Sequence, residues 1–201
     1  MDQLIRKHGF KIIVGLLLLI VALWFVLVQF KEDTSFPYNE EAPDFELTHV
    51  DGSTVSLENT EGKVRLVYFY FSTCPDVCPP TTYFLSQVQD GLKENGSFGE
   101  DAAIMSITFD PERDTTERLK QFAGNYNADF DGWYFLRKDD PYYLQQLAYA
   151  YGIYVNEEED GTFTHSNLIT LVDGKGNIRK RYAVTEDLTA EQIVKDMESL
   201  M

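Results

Sequence analysis

Apolar and polar positions divide the chain into one long apolar run near the N-terminus and a larger region in which strand-like and helix-like patterns alternate. The run from Ile12 to Phe30 has nineteen residues and no formal charge. At a rise of about 1.5 Å per helical residue, this length is just sufficient to cross a hydrocarbon core of about 30 Å. The pattern therefore predicts an N-terminal transmembrane helix.

The charges on either side of the run predict its orientation. Arg6, Lys7 and Lys11 precede it, whereas one basic and two acidic residues follow it directly. Because basic flanks stay on the cytoplasmic side, the rest of the chain should lie outside the cytoplasm. A cleaved signal peptide is the alternative interpretation, but the run is longer than the usual apolar region of such peptides and no Ala-x-Ala-like site follows it. We expect a single-pass protein of the cell membrane whose anchor is retained.

This interpretation divides the chain into three regions. Residues 1–31 are a cytoplasmic flank and the transmembrane anchor, residues 32–44 are a tether, and residues 45–201 are a folded domain. The tether contains two prolines and several polar residues, a composition typical of a linker.

Strand-like and helix-like segments alternate within the domain, which is typical of a mixed α/β sheet. The apolar run Val64–Phe71 lacks strict alternation and predicts a central strand that is buried on both faces. A helix follows it from about Val77, with apolar side chains from Phe84 to Leu92 on one face. The other predicted strands are Phe45–His49, Thr54–Leu57, Ala102–Phe109, Trp133–Leu136, Ile153–Val155, Thr162–Val172 and Asn177–Tyr182, and the other predicted helices begin near Asp114, Pro141 and Thr189.

Composition and charge limit the classes of function. A chain of 201 residues that is 44% hydrophobic and 25% charged is typical of a folded protein with a core. The net charge is −16, and residues 32–201 alone hold 13 basic and 32 acidic side chains, a net charge of −19. Such a surface repels phosphates, so we expect no nucleic-acid partner. We expect the domain to be a monomer with a well-solvated acidic surface.

Two cysteines mark the candidate site. Cys74 and Cys78 lie where the predicted central strand ends and a helix begins, which is where open α/β sheets usually bind ligands. Their spacing places both sulfurs on one face of a helical turn, where they could bind a soft ion such as Cu(I) or form a disulfide. A helix N-terminus favours a thiolate, but Asp76 opposes one, so we do not expect either thiol to be extremely acidic. The alternative is a pair of structural cysteines.

A third metal ligand must come from elsewhere in the chain, and the three histidines are the candidates. His8 belongs to the cytoplasmic flank and is excluded, and His49 adjoins a predicted hairpin tip, which indicates an exposed turn residue. His165 comes just before an apolar strand. A single histidine is more often structural or solvated than a ligand, so the residues alone leave the role of His165 open.

Several motifs together resemble the Sco/SenC family. They are CPDVCPP at 74–80, FDPERDT at 109–115 and the His165-Ser166 pair before an apolar strand, and the resemblance spans roughly residues 42–201. The start of this region also resembles thioredoxin-like and peroxiredoxin-like proteins. The resemblance implies a thioredoxin-like α/β fold with a central mixed sheet flanked by helices. It also implies a membrane-tethered copper protein that serves the assembly of cytochrome c oxidase.

The resemblance assigns roles to individual residues. Cys74, Cys78 and His165 would bind one copper ion as Cu(I) or Cu(II), with His165 where thioredoxins have their active-site cis-proline, facing the cysteines. Asp110 would tune or shield the site from outside the ligand set, or serve only as a turn residue before Pro111. The implied partner is subunit II of cytochrome c oxidase, whose dinuclear copper site faces the same compartment.

Two functions are the leading alternatives at this point. The first is copper delivery to subunit II. The second is thiol–disulfide exchange, in which Cys74 and Cys78 are a redox-active pair that reduces the cysteines of subunit II. The three-residue spacing and the missing cis-proline argue against efficient general exchange. A thiol peroxidase is a third possibility, but the segment from Thr73 to Pro80 contains no arginine to stabilise a peroxide-reactive thiolate.

Overall fold

The structure, a computed structural model, describes residues 13–21, 36–159 and 161–201. The chain divides into two compact units, Met1–Ser35 and Phe36–Met201. In the first unit residues 13–21 are helical, and no helix among the described residues is long and apolar enough to cross a membrane. The predicted cytoplasmic flank, residues 12 and 22–30 of the predicted span, and residues 32–35 of the tether lie outside the described residues.

The second unit alternates strands with helices, as the sequence predicts. Its strands are β1 (Glu40–Glu41), β2 (Glu46–His49), β3 (Thr54–Ser56), β4 (Val64–Tyr70), β5 (Ala102–Thr108), β6 (Trp133–Arg137), β7 (Val155–Glu157), β8 (Phe163–His165), β9 (Leu168–Val172) and β10 (Asn177–Ala183). Its helices are α1 (Cys78–Glu94), α2 (Thr116–Gly124), α3 (Pro141–Ala150) and α4 (Ala190–Glu198).

A mixed sheet forms the centre of this unit. Among the described residues, eight strands pair in the order β1-β10-β9-β4-β5-β6-β2-β3. Strands β4, β5 and β6 run parallel, and β9 pairs antiparallel with β4. Every residue of β4 and β5 is buried, which explains why neither sequence alternates between apolar and polar positions. The predicted α/β, thioredoxin-like fold is confirmed.

The segment from Phe36 to Asp44, which the sequence analysis assigned to the tether, packs against the domain. β1 pairs antiparallel with β10, with Glu40 opposite Ile178, and the side chains of Phe36 and Ala42 are buried. A two-residue edge strand is too short to show a period in the sequence, so the polar composition of the segment concealed its packing.

The segment predicted as one strand from Thr162 to Val172 forms two strands in different sheets. β8 pairs with β7 in a separate two-stranded sheet, whereas β9 pairs with β4 and β10 in the main sheet. The chain changes sheets at Ser166 and Asn167. Ser166 N donates a hydrogen bond to Tyr154 O at 2.9 Å, and the Asn167 amide pairs with the Thr81 hydroxyl of α1. This change of sheet leaves His165 at the end of a hairpin.

Candidate metal centre

The two cysteines lie in the turn between β4 and α1. Cys78 is the first residue of α1 and is fully buried, and Cys74 is 8% exposed. Both thiols are free. The Cys78 backbone N–H, which has no partner within the helix, is directed at Cys74 Sγ at an N···S distance of 3.5 Å. Pro79 is tolerated after Cys78 because a first-turn residue does not need its own N–H.

The surroundings give the two thiols opposite pKa shifts. A hydrogen bond from Cys78 and the backbone N–H groups of Asp76 and Cys78 lower the pKa of Cys74 to about 4, against the opposing effect of its burial. The pKa of Cys78 is raised, because its proton is shared with Cys74 and because it is buried. The expectation that neither thiol is strongly acidic is therefore wrong for Cys74. Asp76 is exposed and acts through its backbone amide instead of its carboxylate.

His165 completes a cluster with the two cysteines. Its Nε2 lies 3.7 Å from Cys78 Sγ, and its Nδ1 lies 3.1 Å from Ser166 O. Donation from Nδ1–H to this carbonyl leaves the lone pair of Nε2 directed at the sulfurs. The three ligand atoms all lie within 4.8 Å of one another.

The donor set suits a soft metal ion. Two sulfurs and one imidazole nitrogen match Cu(I), and the nitrogen also permits Cu(II). Cys74 is already ionised at neutral pH, whereas Cys78 must lose its proton before its sulfur can act as a thiolate ligand. His165 is partly exposed and Cys78 is not, so the cluster is open to the outside on the histidine side.

Asp110 lies outside this cluster. Its side chain is 5% exposed, and its carboxylate is 2.5 Å from Arg113 Nε. Its backbone N–H donates to the Thr108 hydroxyl at 3.0 Å. Asp110 therefore has a definite partner, Arg113, that is not one of the three clustered residues.

Comparison with known proteins identifies the family. The model of the SCO1/SenC family matches residues 34–201. The chain belongs to the SCO1/SenC family. The family resemblance seen in the sequence motifs is thereby confirmed.

Relatives in this family cover most of the chain. The SCO1 protein homolog of Bacillus subtilis (strain 168) is 33% identical over 165 residues, which are 81% of this chain and 84% of that protein. A structure of BsSco is 32% identical, with a TM-score of 0.72 over 81% of this chain and 94% of its own. BsSco is described as a member of the Sco family of cytochrome c oxidase assembly proteins, and a disulfide switch was identified in it. Arabidopsis thaliana ScoI with copper bound is 27% identical with a TM-score of 0.66 over 79% of this chain and 96% of its own.

Asp114 supports the cysteine loop, a role that the sequence did not reveal. Its fully buried carboxylate accepts hydrogen bonds from the backbone N–H of Ser72 at 3.0 Å, from the Ser72 hydroxyl, and from the Thr108 hydroxyl at 2.5 Å. Burial raises the pKa of Asp114. The sequence analysis placed the start of a helix near Asp114, but Thr115 caps α2 by accepting from Arg118 N–H at 3.3 Å. The adjacent Thr115 is itself a good N-cap, and this was the sequence signal that Asp114 could have another role.

His49 is a core residue instead of the exposed turn residue that the sequence predicted. It is 1% exposed, and its Nδ1 accepts a hydrogen bond from Phe135 N–H at 3.0 Å. Its ring packs edge-on against Phe130 and Tyr134, and burial lowers its pKa. The hairpin pattern around His49 contained no information about β6, which covers it. His8 lies outside the described residues.

Proposed function

We propose that this protein binds one copper ion through Cys74, Cys78 and His165 and delivers it during the assembly of cytochrome c oxidase. The observation that carries the proposal is the convergence of the three ligand atoms within 4.8 Å. A relative in the same family binds copper, and another is described as a cytochrome c oxidase assembly protein. Copper is the cargo in this scheme, and the donor set suits both of its common oxidation states.

The proposed recipient is subunit II of cytochrome c oxidase and its dinuclear copper site. Transfer would exchange ligands one at a time. The partly exposed side chain of His165 is the natural first ligand to leave, since both cysteines are more deeply buried. The buried thiolates would then hold the ion until thiols of the recipient replace them.

We also propose that the apolar run from Ile12 to Phe30 anchors the protein in the cell membrane, with the domain outside the cytoplasm and acting as a monomer. The run has the length of a membrane span, and basic residues precede it. Anchoring would confine the domain and its recipient to one surface, which raises their effective concentration.

Thiol–disulfide exchange is the second candidate function, and the unequal cysteines favour it. In this reaction the Cys74 thiolate attacks a disulfide of subunit II, forms a mixed disulfide and releases one thiolate of the partner. Cys78 loses its proton and displaces the second, so the partner gains two electrons and this protein ends with a Cys74–Cys78 disulfide. The disulfide switch described for BsSco concerns the same class of chemistry.

His165→Ala distinguishes these two functions. The variant loses one of three copper ligands but keeps both thiols. In a host that lacks the wild-type protein, copper delivery predicts that His165→Ala is deficient in oxidase and is partly rescued by added copper, while its cysteines still cycle between dithiol and disulfide. Cys74→Ser and Cys78→Ser should lose both functions. Full oxidase activity of His165→Ala at limiting copper would instead favour the exchange reaction.

A further inference from the structure

His165 reaches the cysteines from a hairpin that has no strand pairing with the main sheet in the described part of the chain. β7 and β8 pair only with each other there. Apart from the Asn167–Thr81 hydrogen bond just after His165, the position of His165 Nε2 therefore depends on how the side chains of this hairpin pack against the domain.

An aromatic platform supports the inner face of β8. Phe163 and His165 are two residues apart and so lie on the same face of the strand. Both rings rest on Phe71 and Phe109. The centroid distances are 5.3 and 5.1 Å from Phe163, and 5.7 and 5.3 Å from His165, all in edge-on arrangements.

Arg113 lies over the ring of Phe163. The centre of its guanidinium group lies 5.2 Å from the centroid of the Phe163 ring, and its Nε is paired with the buried carboxylate of Asp110 at 2.5 Å. Arg113 also reaches the hairpin tip, since a Cβ atom added to Gly161 would lie 3.8 Å from Arg113 Nη1. One arginine thus connects the loop after β5 to the hairpin that carries His165.

We propose that Arg113, held by Asp110, is a positioning residue. It holds Phe163 against the rings of Phe71 and Phe109 and so keeps His165 next to the two cysteines. The inference rests on the proposed copper-binding function. If the hairpin is held in place before the metal arrives, less conformational entropy is lost when His165 binds the metal. Asp110 thereby acts on the site through Arg113, without contacting the metal.

The chain offers a matched control for Arg113. Lys93 makes the same two kinds of contact, with its Nζ 5.3 Å from the centroid of the Phe98 ring and 2.5 Å from Asp129. The two side chains are almost equally exposed, 40% for Lys93 and 41% for Arg113. Lys93 lies in the last turn of α1, whereas Cys78 begins that helix. Lys93→Gln therefore removes an equivalent cation far from the cluster.

The test is a double-mutant cycle on the full-length protein, with Cu(I) affinity measured by competition with a chelator. Arg113→Gln should weaken Cu(I) binding by about two- to fivefold, the range of a cation–π contact at a partly exposed site. His165→Ala should weaken it by more than about tenfold, because it removes a ligand outright. Lys93→Gln should bind as the wild type does. Arg113→Lys, which keeps a cation at this position, should recover most of the affinity.

The decisive readout is the combination of Arg113→Gln with His165→Ala. If Arg113 acts through His165, the double variant binds copper as His165→Ala does, with no further loss. An equal loss in both backgrounds would show a general structural effect and overturn the inference, as would wild-type affinity in Arg113→Gln. Should Arg113→Gln fail to fold, Phe163→Leu removes the ring beneath the arginine and must show the same dependence on His165. Wild-type affinity in His165→Ala would instead refute the proposed three-ligand site.

Discussion

At the scale of single residues, the site depends on a difference in thiol pKa between two cysteines that look equivalent in the sequence. Cys74 accepts hydrogen bonds from the turn that follows it, whereas Cys78 is buried at the start of α1 with its sulfur facing His165. The sequence correctly located the pair at a strand end, because the strand and helix patterns on either side are strong. It could not reveal the hydrogen bond from Cys78 or the direction of the backbone N–H groups, which together lower the pKa of Cys74.

The first prediction concerns the ionisation of these thiols. In the reduced, metal-free protein, a group with a lowered pKa stays ionised at neutral pH and is protonated only as the pH falls through about 4. The ultraviolet absorbance of one thiolate should therefore persist well below the usual thiol range of about 8.5 and disappear near that lower pH. Cys74→Ser should abolish this transition. A single titration in the usual thiol range would contradict the assignment.

The second prediction concerns Asp114. Asp114→Ala leaves the backbone N–H of Ser72 and the Thr108 hydroxyl without their buried acceptor. The free energy of unfolding, measured by denaturant titration, should fall by about 2–4 kcal/mol, the cost of such unpaired groups. The control is Asp139→Ala, which removes an 83% exposed carboxylate and should cost less than about 1 kcal/mol. Equal effects of the two substitutions would show that Asp114 has no special structural role.

At the scale of elements, long strands were predictable and short ones were not. β4 and β5 have predominantly apolar sequences whose ends agree with the structure within one residue. The break between β8 and β9 escaped prediction because it is a change of sheet, which depends on contacts with Tyr154 across the hairpin and with Thr81, 86 residues from Asn167. The same limit applies to His165, which lies 87 residues from Cys78, so its proximity is a product of the tertiary fold.

The third prediction concerns the segment before β2. A chain that begins at Phe36 should fold, whereas one that begins at Phe45 loses β1 and the buried side chains of Phe36 and Ala42. Burial of Phe36 alone contributes about 1.5–3 kcal/mol, so the shorter chain should unfold at a clearly lower denaturant concentration. Equal stability of the two chains would mean that residues 36–44 act as a linker.

At the scale of the whole molecule, we expect the acidic domain and the apolar N-terminal run to have separate roles. The charge of −19 over residues 32–201 favours solubility, and the run from Ile12 to Phe30 has the length of a membrane span. We predict that the full-length protein stays with membranes after an alkaline wash and that residues 36–201 are monodisperse without detergent. A domain that needs detergent, or a full-length protein released by the wash, would contradict the proposed anchor.

The most direct test of the proposed copper site is X-ray absorption at the copper edge of the copper-loaded protein. The convergence of Cys74, Cys78 and His165 predicts one copper per chain with two sulfur neighbours and at least one nitrogen. His165→Ala should retain both sulfurs and lose the imidazole signal. A wild-type spectrum with one sulfur neighbour or none would contradict the site.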